Sequence, residues 1–427
     1  MHKYSIGALL LIAAMMMNPG NDLLLSKSNQ HLPEVANAGL KLPDHFSAVA
    51  FADSLGRARH IVASKKGLLY IKLSRLVNGK GILRLKDANG DGRVDNIKSF
   101  CNYAGTGITI KDGYLYASSD DDVFRYKLDE NDEVINPDSP EKIITGLLNR
   151  QQHNTKSLVL DDKGNIYVNI GAPSNSCQVV ERSPGSKGKD PCPILDSAAG
   201  IWQFRADKLN QSYGQGVRYA TGLRNVVGLD WNTEINELFV VQHGRDQLDM
   251  FPEYFTAQQN AIRPSEEMFM VKKGANCGWP YCYFDLVENK KVLAPEYGGD
   301  GKKTGRCEGM EQPVVAFPAH VAPNALLFYT GDMFPEKYKH GAFVAFHGSW
   351  NRSPEKQEGF YVAFVPFKNG KPSGPWEIFA DGFAGVETVM SPREAKHRPC
   401  GLAQGPDGAL YVSDDVRGKI YRIAYKK

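Results

Sequence analysis

Residues 221–247 read TGLRNVVGLDWNTEINELFVVQHGRDQ, and this stretch decides the fold. From Val227 to Trp231, apolar residues alternate with smaller or polar ones, as in a strand with one buried face. A turn pattern follows at 234–237, and a second apolar strand pattern covers 238–241. The stretch therefore predicts a β-hairpin, and it provides the template with which the rest of the chain is compared.

Polar residues flank both strands of this hairpin at corresponding ends. Arg224 and Asn225 precede the first strand, and His243, Gly244 and Arg245 follow the second. A guanidinium beside an amide suits bidentate binding of a carboxylate or of a planar, carbonyl-rich ligand. Gly244 has no Cβ, so its backbone can approach a ligand or a hard cation closely. An arginine paired with a nearby loop carboxylate is the competing interpretation.

The same strand pattern recurs six times along the chain. The recurring unit is Gly or Asp-Gly before an apolar strand in most copies, and the copies are KKGLLYIKL (65–73), KDGYLYASS (111–119), DKGNIYVNIG (162–171), NELFVVQHG (236–244), GAFVAFHGS (341–349) and PDGALYVSDD (406–415). Between several copies lies an outer strand pattern, at 123–128, 201–206, 359–367 and 418–425. Six strand-rich units without helical periodicity predict an all-β fold, a six-bladed β-propeller. Long loops would cover one end of its central channel, where ligands usually bind.

Length and charge fit one large β domain in an exported protein. The 427 residues carry a net charge of +3 with scattered Lys and Arg, which predicts no nucleic-acid partner. We expect residues 39–427 to form a single propeller domain with a loop insertion at about 246–312. Residues 1–38 read as a signal peptide and leader, with the cleavage point open, because the apolar run at 6–17 is too short to span a bilayer comfortably. A periplasmic or secreted protein without stable membrane insertion is predicted.

Seven cysteines in an exported chain predict disulfides. A bridge across the charged Gly, Pro and Ser loop at 177–192 would pin that loop, and a second irregular region holds three more cysteines. The favoured pairs are Cys177 with Cys192 and Cys282 with Cys307. Cys101 and Cys400 lie beside apolar runs and are predicted to be buried thiols. The chain has no C-x-x-C pair, which disfavours a cysteine-based metal site.

An Asp-rich loop, DANGDGRVD at 87–95, has the spacing by which oxygen ligands surround Ca²⁺. Gly92 occupies the sharp turn, but position twelve is Lys98 rather than Glu, and no helix pattern precedes the loop. The ligands of such a second calcium site would be Asp87, Asn89, Asp91 and Asp95. A plain Asp/Gly hairpin turn explains the loop at least as well.

Histidines lie beside several of the predicted strands. His153 precedes the strand of the third unit, and a neutral imidazole there can act as general base toward a substrate hydroxyl. The others near later units are His320, His347 and His397, the last followed by Arg398. A structural histidine is the competing interpretation for each of them. Basic groups at matching ends of successive blades would build a positive pocket for a polyanionic planar ligand.

Several motifs together resemble one family, from about Leu40 to the C-terminus. They are TGLRNVVGLDW, QHGRDQL, GANCGWPYCY, FPAHVAPNALLFY, FVAFHGSWNR and HRPCGLAQGPDGALYVSDDVRGKIYRI. The chain resembles the sorbosone dehydrogenase-like branch of the soluble aldose sugar dehydrogenases, which are six-bladed propellers that use pyrroloquinoline quinone (PQQ) and Ca²⁺. The resemblance implies oxidation of the anomeric hydroxyl or aldehyde end of a sugar. No haem-attachment C-x-x-C-H is present, so an external quinone, cytochrome or dye would accept the electrons.

The resemblance also implies roles for single residues. His153 matches the general base that takes the proton of the anomeric hydroxyl while hydride passes to the quinone. The backbone carbonyls of Gly244 and Arg245 match calcium ligands, which would place a Lewis acid on the quinone oxygen. The positions matching cofactor-binding residues are Arg224 and Asn225 at the quinone edge, Arg352 and Arg398 at the cofactor carboxylates, and Arg59, His243, His320 and Trp350 with weaker support.

The chain departs from the glucose-oxidising branch at two positions. Ala172 and Pro173 stand where that branch has an Asp beside the base, and His243 stands where it has an amide. Substrate orientation must therefore differ, and glucose does not follow as the substrate. Two other classes remain open: a propeller lactonase or hydrolase, which would need converging Asp, Glu and Asn ligands, and a non-catalytic binding propeller.

Overall fold

The computed structural model describes residues 36–150 and 152–426, and it confirms the six-bladed β-propeller. Each blade is an antiparallel sheet whose first four strands follow one another outward from the channel. The predicted signal peptide lies outside the described residues, apart from Ala36, Asn37 and Ala38 of the leader. Within the described ranges no helix is both long and apolar enough to cross a membrane.

The first three blades follow a single N-terminal strand, β1 (Phe46–Ala52). Blade I contains β2 (Ala58–Ala63), β3 (Leu69–Val77), β4 (Lys80–Lys86) and β5 (Asn96–Phe100). Blade II contains β6 (Ile108–Lys111), β7 (Tyr114–Ser118), β8 (Val123–Lys127) and β9 (Glu141–Thr145). Blade III contains β10 (Leu158–Leu160), β11 (Asn165–Ile170) and β12 (Gly200–Arg205), then β13 (Gln211–Ser212), which joins the edge of blade II, and β14 (Val217–Thr221).

The last three blades hold two additional small hairpins. Blade IV contains β15 (Val226–Asn232), β16 (Glu237–Gln242) and β17 (Glu266–Val271), then β18 (Ala275–Asn276), which joins the edge of blade III, the hairpin β19 (Cys282–Asp285) with β20 (Lys290–Leu293), and β21 (Val315–Phe317). Blade V contains β22 (Pro323–Phe328), β23 (Ala342–Phe346) and β24 (Tyr361–Val365), the hairpin β25 (Phe367–Lys368) with β26 (Lys371–Pro372), and β27 (Glu377–Ala380). Blade VI contains β28 (Pro399–Gln404), β29 (Leu410–Asp414) and β30 (Ile420–Tyr425).

Helical structure in the described ranges is confined to short turns. The α-helix α1 (Ala257–Ile262) begins at Thr256, whose hydroxyl accepts the Gln259 N–H while the Gln259 side chain accepts the Thr256 N–H. The 3₁₀ turns are Ala36–Gly39, Pro193–Asp196, Tyr213–Gln215, Leu248–Met250, Pro295–Tyr297, Gly305–Gly309, Glu336–Tyr338 and Pro392–Glu394.

The six repeated sequence units all become second strands of blades. They correspond to β3, β7, β11, β16, β23 and β29. The outer strand patterns found between several units form third strands, which lie outside the second strands in their blades. The hairpin predicted from residues 221–247 is β15 paired with β16, and its register places Trp231 opposite Leu238.

The ring closes by joining the two ends of the described chain. β1 pairs antiparallel with β30 and completes blade VI, with Phe46 opposite Tyr425. The first strands of the blades also contact one another around the ring, so that each inner strand touches both neighbours. Behind this closure, the Phe46 ring lies edge-on to Phe334 of blade V, with ring centres 4.9 Å apart.

The antiparallel order of the strands determines which loops meet. Four antiparallel strands bring the chain back to the end at which the blade began, so all six inner strands begin at the same end of the propeller. We call this the upper end and the opposite one the lower end. Loops between second and third strands, and loops that lead from one blade to the next, lie at the upper end.

The irregular regions contain both predicted disulfides. Cys177 is bonded to Cys192, and Cys282 is bonded to Cys307. Cys101 and Cys400 are buried free thiols, as the sequence indicated. The stretch expected to be one insertion, 246–312, also contains β17, the third strand of blade IV, because the hydrophobic run EEMFMV pairs with β16.

Candidate functional site

The residues predicted to bind the cofactor and the sugar are found on segments at the upper end. His153 lies in the loop that enters blade III, and Arg224 with Asn225 directly precedes β15. His243 follows β16, and its N–H donates to the Asn225 carbonyl at 2.9 Å, so both flanks of the hairpin meet. The remaining candidates lie on loops of blades V and VI or at the start of β2. Strand polarity alone thus brings residues from distant parts of the sequence to one mouth.

His153 has a fixed orientation. Its Nδ1–H donates to the Ala172 carbonyl at 2.5 Å, which leaves the lone pair on Nε2. A Cβ on Gly171 would lie only 2.6 Å from the His153 Cβ, so glycine at 171 permits this close approach. Burial and then the positive charge of Arg224 lower the pKa of His153 to about 3. The half-buried imidazole is therefore neutral and carries its free nitrogen as a base.

Arg224 is buried and is held by its neighbours. Its guanidinium donates from Nη1 to the Gly244 carbonyl at 2.8 Å and from Nε to the Asn175 carbonyl at 3.2 Å. Nη2 donates to the Asn175 amide oxygen at 3.0 Å and to Asp246 Oδ2 at 2.9 Å. Both interpretations of the sequence apply: the arginine lies at the predicted pocket, and it is also paired with a loop carboxylate. A bidentate contact with a ligand would require it to release one of these bonds.

Asp246 connects the loops of three blades. Burial alone would raise its pKa, but the charges of Arg224, His320 and Arg182 lower it to about 2. Besides Arg224, its carboxylate accepts from Arg182 at 3.3 Å and from the Asn351 amide at 2.8 Å. The carboxylate is therefore ionised, and it accepts hydrogen bonds from donors in blades III, IV and V.

The Gly244 segment is also fixed from behind. Glu266, at the start of β17, accepts the Gly244 N–H at 2.6 Å and the Ala322 N–H at 3.1 Å. Burial raises the pKa of Glu266 to about 8 despite these two donors. Arg245 is buried, and its side chain pairs with Glu296 rather than turning to the mouth. The carbonyls of Gly244 and Arg245 thus lie on a segment that is anchored on both sides.

A second carboxylate organises the opposite side of the mouth. Asp415, after β29, accepts from Arg59 Nη1 at 2.8 Å and from His347 Nε2 at 2.8 Å. Burial would raise its pKa, but the charges of His347 and Arg59 hold it far below the usual range. Arg59 and His347 are therefore joined through one anion, as Arg224 and Arg182 are joined through Asp246.

The other candidate histidines each have hydrogen-bond partners in the protein. His243 Nε2 lies 3.0 Å from the Asn324 amide oxygen, and burial followed by the charge of Arg224 lowers its pKa to about 4. His320 Nε2–H donates to the Asn260 carbonyl at 2.8 Å. His397 pairs with Asp414, with Nδ1 2.8 Å from Oδ2. The last two have structural partners, in line with the competing interpretation.

Arg352, Arg398 and Trp350 occupy the outer loops of blades V and VI. Arg352 is buried and donates from Nη1 to the Ala319 carbonyl at 3.0 Å. Arg398 donates from Nη2 to the Pro392 carbonyl at 2.6 Å. Trp350 is 56% exposed, which makes it the most open of the candidate side chains. The two arginines thus support loops in this structure, and Trp350 presents an aromatic surface to solvent.

Several buried polar atoms near His153 and Arg224 have no protein partner. The atoms, all nearly inaccessible to solvent, are Asn225 Oδ1, Asn154 Oδ1, Thr155 Oγ1, Ser157 Oγ and Asn351 Oδ1. The Asn225 oxygen would lie 3.3 Å from a Cβ on Gly171, so it is close to the His153 loop. Unpartnered amide oxygens suit a hard cation or a hydroxyl donor, and the arginines and histidines around them suit an anionic ligand.

The Asp-rich loop lies at the lower end, between β4 and β5. Asp87 accepts the N–H groups of Gly90 and Gly92 at 2.7 and 2.8 Å, and Asp95 accepts the Ala88 N–H at 2.7 Å. Asn89 donates to Asp91 at 3.2 Å. In the described residues no group of three His, Cys, Asp or Glu is placed to hold a metal ion. These side chains stabilise the turn, and the second calcium site stays a prediction.

The lower half of the channel holds a cavity of about 390 Å³ that the sequence did not indicate. All six inner strands contribute to its walls, which combine aliphatic side chains such as Leu158, Val159 and Leu402 with polar ones. Asp230 is a half-buried carboxyl group in this wall. It accepts the N–H groups of Trp231 and Phe328, and burial of the carboxyl group raises its pKa to about 7. None of the predicted cofactor-binding residues lines this cavity.

Sequence reasoning missed the anions that hold the predicted cations. Asp246 and Asp415 follow candidate segments directly, in HGRDQ and VSDDVRG, but they read as ordinary loop acids. Asn175 holds Arg224 through its side chain and carbonyl, and it lies in the stretch NIGAPSN. From the sequence, this stretch was significant only because it lacks the aspartate of the glucose-oxidising branch. The signal available was an acid next to a predicted ligand-binding arginine in a loop at the same blade end.

Comparisons with known proteins identify the family and agree with the fold. A family model described as TrAA12-like matches residues 40–426. A protein of Borreliella burgdorferi without a described activity is 25% identical over 406 residues, covering 92% of this chain and 93% of its own. A PQQ-dependent sugar dehydrogenase of Hypocrea jecorina is 23% identical, covering 74% of this chain and 73% of its own. The calcium structure of a Trichoderma reesei AA12 protein superposes with a TM-score of 0.75 at 20% identity, covering 93% and 100%.

Proposed function

The chain belongs to the TrAA12-like family of PQQ-dependent sugar dehydrogenases, and from that premise we propose the chemistry of its site. The protein oxidises the anomeric hydroxyl or aldehyde end of a sugar, with PQQ and Ca²⁺ bound at the upper end and His153 as general base. An external quinone, cytochrome or dye accepts the electrons, because the sequence has no haem-attachment motif.

The observation that carries this proposal is the fixed, neutral His153. Since Nδ1–H is committed to the Ala172 carbonyl, Nε2 is the atom that accepts the proton of the sugar hydroxyl. In this protein a backbone carbonyl orients the imidazole of His153, whereas the glucose-oxidising branch has an Asp beside the base. A neutral carbonyl stabilises an imidazolium less than a carboxylate would, which agrees with the low pKa of His153.

The residues at the upper end fit an anionic, carbonyl-rich cofactor. Arg224, Arg59 and His243 supply positive or donating groups around His153, and each is buried or half-buried. Bound PQQ would supply an ortho-quinone as hydride acceptor, and Arg224 with Asn225 would hold its quinone edge. Arg352 and Arg398 are proposed to hold the cofactor carboxylates once released from their loop contacts, and His320 and Trp350 to line the cofactor or sugar face.

Calcium is supported by the type of oxygen available. The Gly244 and Arg245 carbonyls and the unpartnered Asn225 oxygen are ligands of the kind that Ca²⁺ prefers, and the ion would supply a Lewis acid for the quinone oxygen. The Gly244 carbonyl already accepts from Arg224, so the ion and the guanidinium would share it. A carbonyl oxygen has two lone pairs, which makes this sharing geometrically feasible.

The test is a titration of purified protein, stripped with EDTA, with PQQ in the presence and absence of Ca²⁺. Dye reduction with a panel of aldoses follows. We expect Ca²⁺-dependent binding and sugar-dependent bleaching of the dye. PQQ binding without turnover on any sugar would contradict the substrate class. No PQQ binding with or without Ca²⁺ would contradict the cofactor and would favour the lactonase or the binding-propeller interpretation.

Localisation and domain limits form part of the same proposal. Residues 1–38 are a leader that directs export to the periplasm or the medium, and residues 39–427 are one propeller domain. Mass spectrometry of the exported protein would test this: a mature N-terminus beyond Leu40 would remove part of the described fold and contradict the boundary.

A further inference from the structure

The Arg224 guanidinium is nearly saturated by the protein itself. Of its five N–H groups, Nε uses one on the Asn175 carbonyl and Nη2 uses two, on the Asn175 amide oxygen and on Asp246. Nη1 donates one to the Gly244 carbonyl at 2.8 Å. Within the described residues, a single N–H on Nη1 is left for a ligand. The direction of this remaining Nη1–H therefore determines how Arg224 can hydrogen-bond to a cofactor.

Asp246 supplies the charged partner in this arrangement. Its Oδ2 accepts from Arg224 at 2.9 Å and from Arg182 at 3.3 Å, and its Oδ1 accepts from Asn351 at 2.8 Å. Its own N–H donates to the Asn175 amide oxygen at 2.9 Å, the oxygen that also accepts from Arg224. Loops of three blades thus hold the carboxylate in place, and the carboxylate in turn holds Arg224.

We propose that Asp246 is a positioning residue, which fixes the Arg224 guanidinium between the loops of blades III, IV and V and so sets the geometry of hydride transfer. The inference rests on the proposed function and deepens it, because it assigns to an unrecognised carboxylate the alignment of the quinone-binding arginine. Both oxygens of Asp246 already accept from protein donors, two of them arginines, so it acts through Arg224 rather than on the cofactor.

A charge effect and a positioning effect have opposite consequences for binding and turnover. Removing a negative charge from the mouth strengthens attraction for an anionic cofactor, whichever way Arg224 points. Misplacing the guanidinium leaves attraction intact but misaligns the reacting groups, and a displacement of about 1 Å can lower turnover by about 10²-fold. Turnover that falls without loss of PQQ affinity is therefore the signature of positioning.

The experiment compares Asp246→Asn and Asp246→Glu with Asp332→Asn, a matched charge removal at a side chain that is 98% exposed in the lower-end loop between β22 and β23. PQQ affinity and kcat are measured for each, together with hydrogen exchange of the Arg224 Nε–H by NMR in the cofactor-free protein. We expect kcat to fall about tenfold or more in both Asp246 variants, with PQQ affinity kept within about threefold. Exchange of the Arg224 Nε–H should accelerate about tenfold in Asp246→Asn. Asp332→Asn should match the wild type in all three.

Each outcome decides the inference. Wild-type turnover in Asp246→Glu would show that charge alone matters and would overturn positioning, as would unchanged kcat and unchanged exchange in Asp246→Asn. Thermal melting shows whether each variant is folded. If Asp246→Asn is unfolded, the test rests on Asp246→Glu, which keeps the charge and lengthens the side chain. If the wild type binds no PQQ, the proposed function fails, and the exchange measurement still decides whether Asp246 holds Arg224.

Discussion

The two ends of the channel are built from the same six inner strands, yet their chemistry differs. At the upper end Arg224 and Asp246 form a charge-assisted hydrogen bond, and the neutral His153 beside them donates to the Ala172 carbonyl. At the lower end the same strands surround a cavity of about 390 Å³ whose walls mix aliphatic and polar side chains. The strands supply a scaffold with a direction, and the residues just before and after them supply the function. Catalytic sensitivity should therefore be confined to one end.

The largest expected difference between the ends is in turnover. His153→Gln removes the base while leaving an amide of similar size, so we expect turnover to fall by about 10²-fold or more with PQQ affinity nearly intact. His340→Gln, an exposed histidine at the lower end paired with Glu234, is the matched control and should leave turnover unchanged. Equal losses in the two variants would abolish the distinction between the ends.

A smaller but still large effect is expected on cofactor affinity. Arg224→Ala removes the buried guanidinium and leaves Asp246 without its main counter-charge, so we expect PQQ affinity to weaken by about tenfold or more. Arg205→Ala, which breaks an exposed pair with Asp207 at the lower end of β12, serves as control. Fluorescence titration measures both, and unchanged affinity in Arg224→Ala would contradict the pocket.

The pH dependence sharpens the comparison further. Because His153 has its pKa lowered to about 3, the base stays neutral in mild acid, and kcat/KM should be flat down to about pH 4 and fall below it. The stability of the fold responds at a higher pH than turnover does. The unfolded chain takes up this proton near pH 6.5, so the free energy of unfolding declines as the pH falls below that value. Thermal melts at each pH separate the two effects. An acid limb near pH 6.5 would show that burial and Arg224 do not set the pKa.

The smallest effect is predicted for the lower cavity. Val159 lies on its wall, and Val159→Ala enlarges a space that already exists, so we expect a stability loss of about 1 kcal/mol by urea unfolding. Turnover and PQQ affinity should change by less than about twofold, since Val159 lines the lower cavity and is not one of the residues predicted to bind cofactor or sugar. A large loss of turnover would give the lower channel a catalytic role.

The fold was predictable because its signal is local and repeated. Six strand patterns, most of them led by glycine, became the second strands of six blades, and strand alternation indicated the hairpin of β15 and β16. The outer patterns between them became third strands, whereas short edge strands such as Val315–Phe317 carry too few residues to show a pattern. Both favoured disulfide pairs are present.

The site was predictable only in part, for a physical reason. Strand polarity identifies which residues reach the upper end, and so His153, Arg224 and His243 could be placed together. It says nothing about partners contributed by other loops, so the pairing of Arg224 with Asp246 and Asn175 came from the structure alone. The lower cavity depends on how side chains from all six blades fill the axis, which no single stretch of sequence encodes.

The pairing of β1 with β30 has a consequence for the order in which the protein can be made. Phe46 emerges from the ribosome long before Tyr425, yet the two residues face each other in one sheet. The first strand must therefore wait without its partner until β30 has been made, and blade VI cannot be completed before then. A chain cut before β30 would lose the closure of the whole ring rather than a dispensable tail.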